Sequence, residues 1–108
     1  MDSKPYIIKR KEAFKSSSLP YSFNYKIKRI FWGKKCPICG VEMRVHKYSN
    51  NFIPSIQHNI PISKNGKHEL GNISIICRRC NSSIRDKETD KLNSEEVTNI
   101  WLMLNGLK

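Results

Sequence analysis

The sequence is poor in acids, poor in apolar residues and free of long apolar runs. It holds 9 Asp+Glu against 20 Lys+Arg in 108 residues, a formal net charge of +11. Such a scarcity of negative charge excludes a cationic partner and points to a polyanion, with nucleic acid or an anionic membrane surface as the usual classes. Apolar residues make up 38% of the chain, below the roughly 45–50% of ordinary globular chains. A chain of this length is one domain by default and buries only roughly 65% of the surface its unfolded form exposes. A large self-sufficient core is therefore excluded, and something else must help to hold the fold. No stretch approaches the roughly 18 apolar residues of a membrane span, and Met1-Asp2-Ser3-Lys4-Pro5 has no apolar leader character. The expectation is an intracellular protein with no membrane role. Thiols are kept reduced there, which favours the four cysteines as metal ligands over disulfides.

The positive charge is concentrated at one end. Residues 1–35 carry ten Lys+Arg and two acids, whereas residues 86–96 hold five of the nine acids. Ser16-Ser17-Ser18-Leu19-Pro20 reads as a linker, which divides the chain into a basic arm over 1–20 and a body over 21–108. Within the body, Phe23, Ile27, Ile30 and Phe31 recur at helical spacing, with Ser22 as a cap and Gly33 as a stop. Val41, Met43 and Val45 alternate with polar residues, as in a half-buried strand. A short strand is expected over Ser55–Asn59, with Pro54 and Pro61 forced outside it. Ser63 to His68 reads as a turn. A second strand follows over Ile73–Ile76, then a helix from Arg78 or Cys80 to about Asp86. Val97, Ile100, Trp101 and Leu104 mark a C-terminal helix over about 94–105. Asn93 and Glu96 supply its capping box and Gly106 its C′ position.

The cysteines form two C-x-x-C pairs, Cys36-Pro37-Ile38-Cys39 and Cys77-Arg78-Arg79-Cys80, separated by 37 residues. A C-x-x-C turn aims two thiolates at one ion, and two such turns complete a tetrahedron around Zn²⁺. Gly40 provides the backbone freedom the first turn needs. The alternatives are two local disulfides or four buried thiols. Four protein ligands leave no position for water, so such a zinc would be structural. Zinc binding also supplies folding energy, about 10–16 kcal/mol in small zinc-dependent domains, which would offset the small core.

Between the knuckles runs Gln57-His58-Asn59-Ile60-Pro61, a loop containing Gly66 and His68, then Asn72 before the second strand, and Asn81 directly after Cys80. In its order of residues this stretch resembles the HNH nucleases, over about residues 36–87. His58 matches the first motif position, Asn72 the central Asn and Asn81 the last position in its asparagine variant. The resemblance implies an α+β fold, a small zinc-stapled ββα-metal domain, to which the sequence adds a flanking helix at each end.

The resemblance further implies a metal-dependent DNA endonuclease of low sequence specificity. His58 would be the general base, Asn81 a ligand to catalytic Mg²⁺ or Mn²⁺, and Asn72 the residue that fixes the backbone aiming His58. Family members usually carry Asp where this chain has Gln57, so the second candidate ligand is uncharged and the level of activity is open. DNA is the expected partner, through Lys9, Arg10 and Lys11 in the arm and Arg78, Arg79, Arg85 and Lys87 around the metal helix, all as phosphate contacts. Two further readings stand beside this one. One is a zinc-stapled DNA-binding module with weak or lost catalysis. The other is a branched-DNA nuclease, because junction resolvases also combine two C-x-x-C knuckles with an Asn after the last Cys. Monomer and homodimer fit equally well.

Overall fold

Phe23, Ile27 and Phe31 lie on one face of a helix and are wholly buried, and that face is the floor of the molecule's core. The helix, α1, spans Phe23–Ile30. Ser22 holds the N-cap position but makes no side-chain cap bond. Lys28 and Arg29 occupy the last turn, where the helix dipole favours cations. This is a computed structural model, and it describes residues 11–105.

Beyond α1 the order of elements is β1 (Pro54–His58), a 3-10 turn (Ile62–Lys64), β2 (Ile73–Cys77), α2 (Arg78–Ile84) and α3 (Ser94–Leu104). β1 and β2 form a two-stranded antiparallel sheet in which Pro54 pairs with Cys77, Ile56 with Ile75 and His58 with Ile73. Every residue of β2 is buried, because α3 and α2 pack on it, while α1 and α2 pack on β1. Met43, Ile73, Ile75, Ile76, Val97 and Trp101 complete the core around the α1 face. The Trp101 and Phe23 rings meet edge to face, 4.8 Å between centroids. The small α+β architecture matches the expectation, including a helix on either side of the sheet-and-helix centre.

Four local expectations differ. Pro54 belongs to β1 as its first residue, a position where the missing N–H costs no ladder bond. The alternation over Val41–Val45 is not a strand. Met43 is buried and its backbone pairs with Gly33 and Lys34, so the pattern reflects the knuckle turn folding back rather than a sheet. The capping box at α3 is absent: the Asn93 side chain makes no cap bond. Its Oδ1 instead accepts the Ile75 N–H and its Nδ2 donates to the Ile75 carbonyl, both at 2.8 Å, while Glu96 pairs with Lys34. The proposed helix stop Gly106 lies outside the described residues. Finally, the serine stretch read as a linker is tied to the body. Ser17 Oγ donates to the His68 carbonyl, and Ser18 donates to the Glu69 carboxylate through both N and Oγ.

Candidate active site and metal centre

Cys36 and Cys39 flank a turn closed by the Gly40 N–H on the Cys36 carbonyl, with Gly40 at φ +80°. Cys77 ends β2 and Cys80 lies in the first turn of α2. The four thiol sulfurs lie within 4.8 Å of one another, with Cys39 and Cys77 3.7 Å apart. A tetrahedron with bonds of about 2.3 Å has edges of about 3.8 Å, so the cluster has the dimensions of a zinc site with four cysteine ligands. Burial pushes the Cys80 thiol far up and raises Cys77 as well. At Cys36 burial also acts upward, but the N–H groups of Cys77, Cys39 and Ile38 outweigh it and bring the thiol below its ordinary range. These N–H groups favour a thiolate there, the form that binds metal.

The second site is a cleft of about 840 Å³ between β1, α1 and α2. Gln57, His58 and Asn81 all line it, together with Lys28, Arg85 and Asp86. Asn81 is anchored by its amide nitrogen, which donates to Ser55 Oγ at 2.5 Å and to the Ile56 carbonyl at 2.8 Å. The amide oxygen is thereby left as the group with acceptor capacity. Gln57 is buried, and its Nε2 donates to the His58 carbonyl at 3.1 Å. The one carboxylate among the residues lining the cleft is that of Asp86; Glu69, on the His68 loop, is engaged by Ser18.

His58 stands at the end of β1, where the chain turns into a loop. Its Nε2 lies 3.0 Å from Nδ1 of His68, a buried residue on that loop. The Phe14 ring meets that of His68 tilted at 4.2 Å, and the Phe23 ring meets it edge to face at 5.8 Å. Asn72 does not reach into the cleft. Its Oδ1 accepts the Ile60 N–H and its Nδ2 donates to the carbonyls of Ile60 and Lys67. It thus ties the two ends of the loop together just after His58. The pairing of His68 with His58 is not readable from the sequence, and the only local trace of it is a His in the Gly66 loop.

A second groove of about 780 Å³ adjoins the cleft through Ser82 and Arg85 and is lined by Arg78, Arg79, Lys87, Asn51 and Ser83. Its four cations, Arg78, Arg79, Arg85 and Lys87, are all exposed. Of the arm residues expected to meet phosphate, Lys11 is exposed on a helical segment over 11–15; Lys9 and Arg10 lie outside the described residues. No helix among the described residues is long and apolar enough to cross a membrane.

No curated protein and no solved structure gives a significant match to the chain. Residues 36–87 match a family model described as HNH endonuclease, which suggests nuclease activity as such. The matched span begins at the first zinc-knuckle cysteine and takes in the second knuckle, both strands, α2 and the cleft residues Gln57, His58 and Asn81. By this match residues 36–87 are an HNH domain.

Proposed function

We propose that the protein is a metal-dependent DNA endonuclease that hydrolyses phosphodiester bonds in the cleft beside His58, with little sequence specificity. The observation that carries this reading is that Gln57 and His58 from β1 and Asn81 from α2 line one cleft together with the cations Lys28 and Arg85. His58 is the general base: imidazole titrates near neutral pH and takes a proton from water as the new O–P bond forms. As the P–O3′ bond breaks, the departing oxygen takes a proton from solvent. Lys28 and Arg85 offer charge to the phosphate oxygens.

The donors in the cleft are the amide oxygens of Asn81 and Gln57 and the Asp86 carboxylate, hard oxygen ligands of the kind that suit Mg²⁺ or Mn²⁺. Asn81 and Gln57 would hold such an ion. When bound, it supplies Lewis-acid stabilisation of the phosphate and the leaving oxygen. The sulfur cluster takes a separate, structural Zn²⁺, which fixes where α2 leaves β2 and so where Asn81 stands.

The groove of Arg78, Arg79, Arg85 and Lys87 continues the cleft and is the path for the DNA backbone. Its cations Arg78, Arg79, Arg85 and Lys87 are exposed, so phosphate contact rather than base readout governs binding. The second reading, a DNA-binding module with weak catalysis, is favoured by Gln57, which offers no negative charge and spends its amide hydrogen on the His58 carbonyl. Supercoiled plasmid incubated with the protein and Mg²⁺, Mn²⁺ or EDTA tests the two. Nicked circles with metal and none with EDTA support the nuclease; gel retardation without nicking under any metal favours the binding module. A four-way junction cut in preference to plasmid assigns the branched-DNA variant.

A further inference from the structure

A neutral imidazole has one N–H, so a histidine that works as a base must keep its reacting nitrogen unprotonated and its proton on the other. His58 has its Nε2 3.0 Å from His68 Nδ1, and His68 does not line the cleft that His58 lines. His68 lines instead a neighbouring pocket with Phe14, Ser17 and Asn24.

The setting of His68 is built rather than incidental. The residue is 3% exposed. Phe14 and Phe23 hold its ring from two directions, the second nearly perpendicular at 85°. Its carbonyl accepts Ser17 Oγ, and the next residue, Glu69, accepts both Ser18 donors at 2.8 and 2.6 Å. Asn72 fastens Lys67 on its other side at 2.8 Å. A ring held by two aromatic neighbours and along its backbone presents Nδ1 in a fixed direction.

We propose that His68 is a positioning residue for His58: its Nδ1 accepts the His58 Nε2–H, fixing the tautomer that carries the His58 lone pair on Nδ1, the nitrogen that acts on water. As His58 takes its proton at Nδ1, the Nε2–H remains on His58 and continues to donate to His68, which itself gains no proton. The inference rests on the assignment of His58 as the general base, and it adds the helical segment over 11–15 and the serine strap to the working parts of the site.

The tautomer is read first, on the ¹⁵N-labelled full chain with its metal, at about pH 8 where an ordinary imidazole is neutral. Two-bond ¹H–¹⁵N correlation should show His58 protonated at Nε2 and His68 also at Nε2. A His58 protonated at Nδ1, or averaging between tautomers, overturns the proposal without any substitution. Two variants then separate the hydrogen bond from packing. His68→Phe keeps the ring and loses the acceptor; His68→Asn puts an oxygen where Nδ1 stood and loses the ring. Plasmid nicking should fall about 10–100-fold in kcat for His68→Phe, with KM for DNA unchanged, and His68→Asn should recover most of it. His68→Phe matching or exceeding His68→Asn, or a loss confined to KM, overturns the role. If His58→Ala nicks as wild type does, the base assignment fails, and the wild-type tautomer still decides whether His68 governs His58.

Discussion

Asn72 holds Ile60 by both sides of its peptide: its Oδ1 accepts the Ile60 N–H at 2.8 Å and its Nδ2 donates to the Ile60 carbonyl at 3.1 Å. One side chain at the start of β2 thus acts as a short strand opposite the residue that follows Asn59. Asn72→Ala removes these bonds and the one to Lys67 while leaving the core intact. We expect a loss of about 1–3 kcal/mol in urea unfolding and a lower nicking rate at unchanged DNA affinity. Unaltered stability in that variant would show that water replaces the clamp at no cost.

The four sulfurs predict obligate metal for folding. Stripping zinc with a strong chelator removes a contribution of about 10–16 kcal/mol in such sites, comparable to the whole stability of a domain of this size. Circular dichroism should show unfolding on chelation and recovery on adding Zn²⁺, one ion per chain by elemental analysis. Cys77→Ser should aggregate or fail to fold. Ligands must lose protons to bind, so zinc is retained at neutral pH and released as pH falls.

His58→Ala should reduce metal-dependent nicking by about 10²–10⁴-fold without weakening DNA retardation, because the base touches water rather than the DNA backbone. Gln57→Asp adds the anion the cleft lacks at that position. Its nicking should saturate at lower Mg²⁺ than wild type. Identical background nicking in wild type and both variants, at every metal concentration, would sink the nuclease reading.

Arg79 and Lys87 lie in the groove beyond the cleft. Replacing both with Ala should weaken DNA binding about equally for unrelated sequences. It should also lower the slope of log K against log salt by about 0.9 for each phosphate no longer neutralised. A slope equal to that of wild type would place the DNA on another face.

Gly66 is buried where the loop crosses its own start, and a Cβ there would lie 1.7 Å from the Ile60 carbonyl oxygen and 2.8 Å from that of Pro61. Both obstacles are backbone, so the loop must shift to admit a methyl. Gly66→Ala should therefore destabilise by about 1–3 kcal/mol and displace His68. Gly71, at φ +92° with open space around it, should be destabilised by Ala through its backbone conformation alone, and by less. Thermal melts of the two variants compare the effects directly.

What the sequence made legible was what depends on spacing along the chain. The two C-x-x-C pairs, the isoleucine-rich strands and the apolar stripe of α1 are local patterns, and each corresponds to an element or cluster in the structure. The errors arose where one pattern serves two geometries. Val41, Met43 and Val45 alternate as a strand does, but no neighbouring strand among the described residues completes a ladder with them. Asn93 and Glu96 have capping-box spacing, yet the Ile75 backbone competes for the asparagine and Lys34 for the glutamate. His68 was not legible as a neighbour of His58, because its position is decided by Phe14, Phe23 and two serines far away in the chain. Three serines before a proline look like a flexible joint until Glu69 and the His68 carbonyl are brought to them.

The smallness of the sheet carries a hazard that two asparagines remove. Ile56 and Ile75 face each other across the two strands, and each has backbone groups turned outward. A two-stranded sheet with bare margins is a template on which another chain can lay a strand. At this rung Asn93 occupies both outward groups of Ile75, and Asn81 occupies the outward carbonyl of Ile56. Side-chain amides thus meet the sheet at the same level on both flanks. The backbone groups so occupied are not open to a strand from another chain.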